Sequence, residues 1–230
     1  TASHLRSLMG DDSPVEVAGS LKAAAAPLAV DDAELAAIKA AIDARPVWLA
    51  ASTHPGDEVL ALTAHKVLLT IRPDALLILA PRDPVRASDI AEAVARQNMT
   101  ATQRGAGEAP EPGCGVYIAD TFGELGLWYR VADAALIGGT FNAVEGHNPW
   151  EAVALGCPML AGPRTANFAS DFSMLASNDA VAQVTDAASI ATALQDPDLA
   201  LMARRATKVR EAASDGLRQT TEALIQLLDR

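Results

Sequence analysis

From about residue 46 onward the chain alternates short, unbroken apolar runs with longer segments of helical period. That alternation leaves little besides a parallel sheet covered by helices. A strand buried on both faces has no polar side, so it reads as a continuous apolar run. Val47 to Ala51 and Ala75 to Ala80 are such runs, followed by Val116 to Ala119, Ala134 to Ile137, Pro158 to Leu160 and Val181 to Val184. Between the first two, Leu60, Ala64, Val67, Leu68 and Ile71 share one helical face, and Arg72-Pro73-Asp74 stops the helix. In the next helix Ile90, Ala91, Val94 and Ala95 face inward, with Asp89, Glu92 and Arg96 outward. Gly123 to Val131, Pro149 to Leu155 and Phe168 to Ala176 read as further helices, and the Gly- and Pro-rich stretch 105–115 as a loop. The expected fold is α/β: a Rossmann-like, doubly wound parallel sheet with helices on both faces.

The ends of the chain read differently. Residues 1–45 hold a short Val15-Glu16-Val17 stretch, Gly19-Ser20-Leu21-Lys22, an Ala-rich run and an amphipathic helix from about Asp31 to Ala44. They read as a lead-in and linker to one domain over 46–230. At the other end Asp196-Pro197-Asp198 separates two helical segments, and in the last one Leu217, Thr221, Leu224, Ile225 and Leu228 form a stripe that must pack on something. The chain starts at Thr1 without a methionine, which points to a partial or processed chain.

Composition removes several function classes. A net charge of −11 argues against general nucleic-acid binding, which needs clustered Lys and Arg. No apolar run approaches the roughly 20 residues of a membrane span. Cys114 and Cys157 are far apart and lack a C-x-x-C pattern, which argues against a zinc site or disulfide framework and for a reducing compartment.

In an open parallel sheet, ligands bind beyond the carboxyl ends of the strands, so the loops there are where chemistry is sought. The first is Ser52-Thr53-His54-Pro55-Gly56-Asp57-Glu58, leading into a helix. It either receives an anion on free backbone N–H groups, or Ser52 or Thr53 simply caps the helix with Asp57 and Glu58 favourable to its dipole. The second, Pro81-Arg82-Asp83-Pro84-Val85-Arg86, offers Arg82 either as a planar clamp for phosphate or as half of a surface ion pair with Asp83 or nearby acids. The third runs from Asp120 to Gly126, where Asp120 or Thr121 can cap the next helix and Gly123 can turn backbone amides toward a ligand.

The fourth loop is the longest, from Gly138-Gly139-Thr140 to His147-Asn148-Pro149-Trp150-Glu151. Asn148 as cap, Pro149 at the first helical position and Glu151 three residues after the cap make a helix-start signature. Glu151 therefore either reaches back to the cap or accepts the two hydroxyls of a ribose. His147 is either a phosphate donor or a structural histidine. Such connections usually take two to six residues, and the length of this one suggests function.

At these loops the sequence resembles the 3-deoxy-D-manno-octulosonic acid (Kdo) transferases of Gram-negative lipid A and lipopolysaccharide biosynthesis. The matching strings are collinear: G-S-L-K at 19–22, W-L-A-A-S-T-H-P-G-D-E at 48–58, P-R-D-P-V-R at 81–86, D-T-F-G-E-L-G-L-W-Y at 120–129, G-G-T-F at 138–141, G-H-N-P-W-E at 146–151 and G-P-R-T-A-N-F at 162–168. The resemblance implies the second, C-terminal domain of a GT-B glycosyltransferase. That half holds the donor CMP-Kdo, while an N-terminal half carries the lipid A acceptor site, the membrane-associated segment and the catalytic base.

By position, the resemblance implies donor contacts at Pro81, Arg82, Gly123, Glu124, Leu125, Asn148, Pro149, Trp150 and Glu151. Contacts to Kdo or its phosphate fall at Ser52, Thr53, His54, Gly139, Thr140 and His147. No catalytic residue, metal or cofactor is implied for this part. The implied partners are the nucleotide sugar, the N-terminal acceptor domain and, through it, lipid A at the cytoplasmic face of the inner membrane. The 230 residues alone are expected to be soluble and without turnover. The sequence departs from the family pattern at Ser20 (in place of Asn), Asp83 (His), Glu145 (Gly) and Ala152 (Pro), and Asp83 and Glu145 add negative charge beside an anionic donor. Two other readings remain: a stand-alone nucleotide-binding module, and a UDP-sugar epimerase-like domain.

Overall fold

The computed structural model describes residues 2–10, 13, 15 and 20–228. Seven strands form one sheet in the order β3-β4-β2-β1-β5-β6-β7, and every neighbouring pair is parallel. The strands are β1 (Val47–Thr53), β2 (Leu76–Pro81), β3 (Ala101–Gln103), β4 (Val116–Ile118), β5 (Ala134–Ile137), β6 (Met159–Ala161) and β7 (Ala182–Gln183). The helices are α1 (Ala2–Met9), α2 (Asp32–Ile42), α3 (Pro55–Leu69), α4 (Ala87–Arg96), α5 (Leu125–Val131), α6 (Trp150–Ala154), α7 (Ala169–Ala176), α8 (Ala187–Ala193) and α9 (Leu199–Leu228).

The apolar runs are strands because both of their faces are covered. Trp48 and Ala50, Leu77 and Leu79, Val116 and Ile118, and Leu136 share a core with Leu62 of α3, Ile90 of α4 and Ile190 of α8. The alternate residues Leu49, Ile78, Tyr117 and Ala135 are buried as well. On the α5 side Trp128 meets Tyr117 edge-on, with ring centroids 5.6 Å apart. Each fully buried Leu or Ile contributes about 1.5–3 kcal/mol, so this double-sided core dominates the stability of the fold.

By contacts the chain divides into two units, one of residues 26–209 and one of residues 1–25 with 210–230. The sheet lies in the larger unit. That unit takes in α2, which the sequence reading left in the lead-in before residue 46. Asp31 caps α2 by accepting from the N–H groups of Ala33 and Glu34, and its Ile38 and Ile42 are buried. In the smaller unit the Ser214 hydroxyl donates to the carbonyl of Ala23. There Leu224 and Ile225 of the C-terminal stripe are 57% and 53% exposed. Glu16, Val17 and Gly19, in two of the stretches singled out in the sequence, lie outside the described residues.

Among the described residues no helix is long and apolar enough to cross a membrane. Both cysteines are free and buried, and burial pushes the Cys157 thiol up to about 12.

His65 of α3 is fully buried, accepting from the Trp48 indole N–H on Nδ1 at 3.1 Å and facing the Gly115 carbonyl with Nε2 at 2.8 Å. Burial, with a smaller contribution from Arg45, lowers its pKa to about 4, against 6.5 for a free histidine; the Gly115 carbonyl acts in the opposite sense. The unfolded chain therefore binds a proton at His65 between those values while the folded chain does not. The resulting stability is complete above about pH 6.5 and is lost as pH falls toward 4, up to about 3 kcal/mol. Urea unfolding at pH 7.5 and 5 should show this loss, and His65→Gln should remove most of the slope above pH 5.

Candidate functional site at the switch point of the sheet

Strand order reverses between β1 and β5: β2 and β4 continue outward from β1, and β6 and β7 outward from β5. In doubly wound sheets the crevice beyond the carboxyl ends at such a point is where ligands bind. The four loops singled out in the sequence follow β4, β2, β1 and β5, four neighbouring strands on that edge. The fold thus brings together residues scattered from position 52 to 151.

The loops after β1 and β5 are joined by backbone and by one carboxylate. β1 carries an irregularity between Ala51 and Thr53, and Ser52 takes a left-handed conformation with φ 54°. Gly138 packs directly against this bend, its N–H donating to the Ala51 carbonyl at 2.8 Å. A Cβ at Gly138 would stand 2.3 Å from the Ser52 carbonyl oxygen, so only glycine fits. Asp57, at the third position of α3, is fully buried. Its Oδ2 accepts from the backbone N–H of His54 (3.0 Å), the backbone N–H of Gly139 (2.8 Å) and the Asn142 side-chain amide (3.0 Å). Its Oδ1 is buried and has no hydrogen-bond partner among the described residues.

Held this way, His54 and His147 stack with planes 9° apart and Nε2 atoms 2.9 Å from each other. Burial, the neighbouring His54 and the Arg82 charge lower the pKa of His147, and Asp57 acts in the opposite sense. Thr53 faces inward, and its carbonyl accepts from the Arg82 N–H at 2.9 Å, which ties the β2 loop to the β1 loop.

Arg82 is exposed, and its guanidinium has no ion pair or hydrogen bond among the described residues. The ion pair with Asp83 offered as an alternative does not form: Asp83 accepts from Val85 N–H and caps a short 3-10 turn. Instead Arg86 forks onto the buried Glu58 at 2.9 and 2.7 Å, fixing the β2 loop against α3.

In the loop after β4, Gly123 has φ 83° and is exposed. Leu125 begins α5, two residues later than the sequence reading placed the helix start. Glu124 is taken up by Arg104, at 3.1 and 2.6 Å, and by the Thr121 hydroxyl, while Arg104 also reaches Glu34 at 2.8 Å. The pairing with Glu124 and Glu34 raises the Arg104 pKa. Asp120 does not cap α5; it accepts from Gly105 N–H and the Gln103 amide.

In the loop after β5 the helix starts one residue later than the spacing suggests. Asn148 Oδ1 accepts from the Trp150 N–H at 3.2 Å, with Pro149 at the cap position, and α6 runs only five residues. Glu151 does not reach back to the cap backbone. Its Oε1 accepts from the Asn148 amide at 3.2 Å, and its Oε2 has no partner among the described residues.

The buried candidate contacts include Thr53, Pro81, Gly139, Thr140 and Trp150. The Thr140 hydroxyl donates to the Ile137 carbonyl and accepts from the Gly162 N–H. Trp150 is buried with its indole N–H on Asp171 at 2.9 Å, so its ring belongs to the core. Glu145 also differs from expectation, because its charge is paired with Arg164.

The sequence reading missed Asp57 as the link between loops, Arg104 as the partner of Glu124, and the close approach at Gly138. A G-G pair directly after an apolar strand was the available signal for the last. A cavity of about 500 Å³ opens near the ends of β6 and β7, lined in part by Gly162, Thr165, Phe172 and Gln183; none of the sequence-derived site residues lines it. Among the described residues no group of three His, Cys, Asp or Glu side chains is placed to hold a metal ion.

No protein-family model matches the chain. It is 35% identical over 187 residues to the 3-deoxy-D-manno-octulosonic acid transferase of Haemophilus influenzae, covering 80% of this chain and 43% of that protein. To the enzyme of the same name from Bordetella pertussis it is 36% identical, over 78% of this chain and 41% of the relative. The chain therefore spans less than half the length of these relatives. Among solved structures it is similar to the C-terminal CMP-Kdo binding domain of WaaA from Acinetobacter baumannii. That similarity has 29% identity and a TM-score of 0.72, over 77% of this chain and 96% of that domain.

Proposed function

The chain belongs to the 3-deoxy-D-manno-octulosonic acid transferase family, and from that premise we propose that it is the donor-binding domain, which holds CMP-Kdo at the β1–β5 switch point. The observation that carries this reading is the convergence of Arg82, Glu151 and the His54–His147 pair on one edge of the sheet, on loops whose strings match the family. The similarity to a solved CMP-Kdo binding domain over almost its whole length supports it.

In the proposed reaction an acceptor hydroxyl of lipid A attacks the anomeric carbon of Kdo, and the bond to the CMP phosphate breaks with inversion. The electron pair leaves on the phosphate. Arg82, exposed and without an ion pair among the described residues, is assigned to that developing charge, where a preorganised donor lowers the barrier. With α6 only five residues long, this role is assigned to Arg82 and not to a helix dipole. Gly123 supplies an open turn beside the nucleotide, and the free Oε2 of Glu151 accepts the ribose hydroxyls.

In this reading the acceptor site and the base lie outside these 230 residues, which alone are expected to bind donor without turnover. Action at the cytoplasmic face of the inner membrane and participation in lipopolysaccharide biosynthesis are part of the same proposal. No metal or cofactor takes part in it. The exposed Leu224 and Ile225 favour a domain that works with a second half over a stand-alone module.

The ribose role of Glu151 is tested by comparing CMP with 2′-deoxy-CMP. Loss of the 2′-hydroxyl should weaken binding about tenfold, the effect of one hydrogen bond to a charged group. In Glu151→Ala the two nucleotides should bind alike. An unchanged preference for CMP in the variant would remove Glu151 from the ribose site.

A further inference from the structure

The stacked histidines pose a question of proton count. When both rings are neutral, one Nε2–H must donate to the lone pair of the other Nε2, because two lone pairs or two N–H groups at 2.9 Å would repel. One further proton can enter at the free Nδ1 of the donating ring. The pair then carries a single positive charge and keeps its Nε2–H···Nε2 hydrogen bond. A second added proton would put N–H groups on both Nε2 atoms and break the contact.

The surroundings decide which of these states is populated. In the free protein, burial and the Arg82 cation favour the uncharged state at His147. Asp57 favours the charged one, and one of its two oxygens has no donor among the described residues. The remaining charged groups nearby are already matched: Glu58 with Arg86, and Glu145 with Arg164. Glu151, further along the same loop as His147, is held by Asn148. A bound anion beside the pair adds negative charge and offsets the repulsion from Arg82, so the protonated state becomes the stable one.

We propose that the His54–His147 pair is a proton-linked anion site, taking up one proton from solvent when the donor binds, and that Asp57 is the positioning residue holding the two rings in register. This rests on the donor-binding reading above and adds to it a stoichiometry and a residue. The ligand chemistry is a phosphodiester or carboxylate whose own ionisation is complete above about pH 5, as in CMP-Kdo. Uptake can then be assigned to the protein.

The test is calorimetric titration of the whole chain with CMP-Kdo in buffers of different ionisation enthalpy, from pH 5.5 to 8.5. The expected result is an uptake that rises toward one proton per CMP-Kdo between the pKa of the free pair and that of the bound pair, with Kd increasing up to about tenfold per pH unit over the same interval. His147→Gln should bind more weakly at pH 6.5 and take up no proton. Asp57→Asn keeps an acceptor oxygen for the backbone donors, and its circular dichroism should match that of the parent chain. Its pH profile should shift to lower pH, which a purely structural role for Asp57 would not produce.

Binding of CMP-Kdo with no proton uptake and a flat pH profile would overturn this proposal and leave the donor-binding reading intact. Uptake that persists in His147→Gln would also overturn it. Absence of CMP-Kdo binding at every pH would overturn both.

Discussion

Replacing Arg82 with alanine is expected to weaken CMP-Kdo binding by about 10- to 100-fold while leaving the thermal midpoint within a degree or two of the parent chain. A hydrogen bond between charged partners contributes about 1.5–3 kcal/mol, and a planar fork on phosphate is not reproduced by any neighbouring group. The fold should be indifferent, because the guanidinium is exposed and makes no ion pair or hydrogen bond among the described residues. Arg82→Lys should recover only part of the affinity, since an ammonium restores charge without bidentate geometry. Calorimetry and differential scanning measurements on the same samples separate the two effects. An Arg82→Ala chain that binds CMP-Kdo as tightly as the parent would show that the phosphate lies elsewhere.

Gly138→Ala should do the opposite, damaging stability and site together. Its Cβ would meet the Ser52 carbonyl oxygen at 2.3 Å and that of Ala51 at 2.5 Å, both backbone atoms at the join of β1 and β5. Neither strand can withdraw without opening the sheet at its centre. Overpacking of this kind costs about 3 kcal/mol at its upper range, or a midpoint lower by about 6–12 °C for a chain of this length. Donor binding should fall with it, because Gly139, which gives Asp57 one of its three hydrogen bonds, is the next residue. A Gly138→Ala chain with an unchanged midpoint would mean that the bend at Ser52 is not fixed by this contact.

These two residues show which parts of the molecule could be read from the sequence. β5 coincides with the run Ala134 to Ile137, and β1 and β2 are within two residues of their expected ends, because strands covered on both faces must be apolar throughout. β3 escaped because Ala101-Thr102-Gln103 is a half-buried edge strand of three residues with two polar side chains, indistinguishable from the loop that follows it. The helix starts slipped by a residue or two for a related reason. His54, not Ser52 or Thr53, caps α3, since Asp57 reaches back to its N–H while also serving Gly139 and Asn142. Local spacing finds a capping residue, but tertiary contacts choose among the candidates.

The site was legible as a set of loops and not as a set of contacts. Their length and their polar residues stand out against the apolar runs, so Arg82, His147 and Glu151 were found as candidates. The joint at Asp57 links positions 82 and 85 residues apart, and no local pattern encodes it. Glu145 illustrates the limit from the other side. The resemblance to the family implied glycine there, and the backbone of Glu145 is left-handed, with φ 62°. This chain places a side chain in a conformation that glycine adopts freely, and the added carboxylate is matched by Arg164.

Whether this domain holds a cytidine nucleotide sugar is decided by calorimetric titration of the 230-residue chain with CMP, UMP and GMP, repeated with Glu151→Ala. CMP should bind in clear preference to UMP and GMP, and more weakly to the variant. Equal binding of all three nucleotides, or no binding of CMP by the parent chain, would rule out a cytidine-specific donor site.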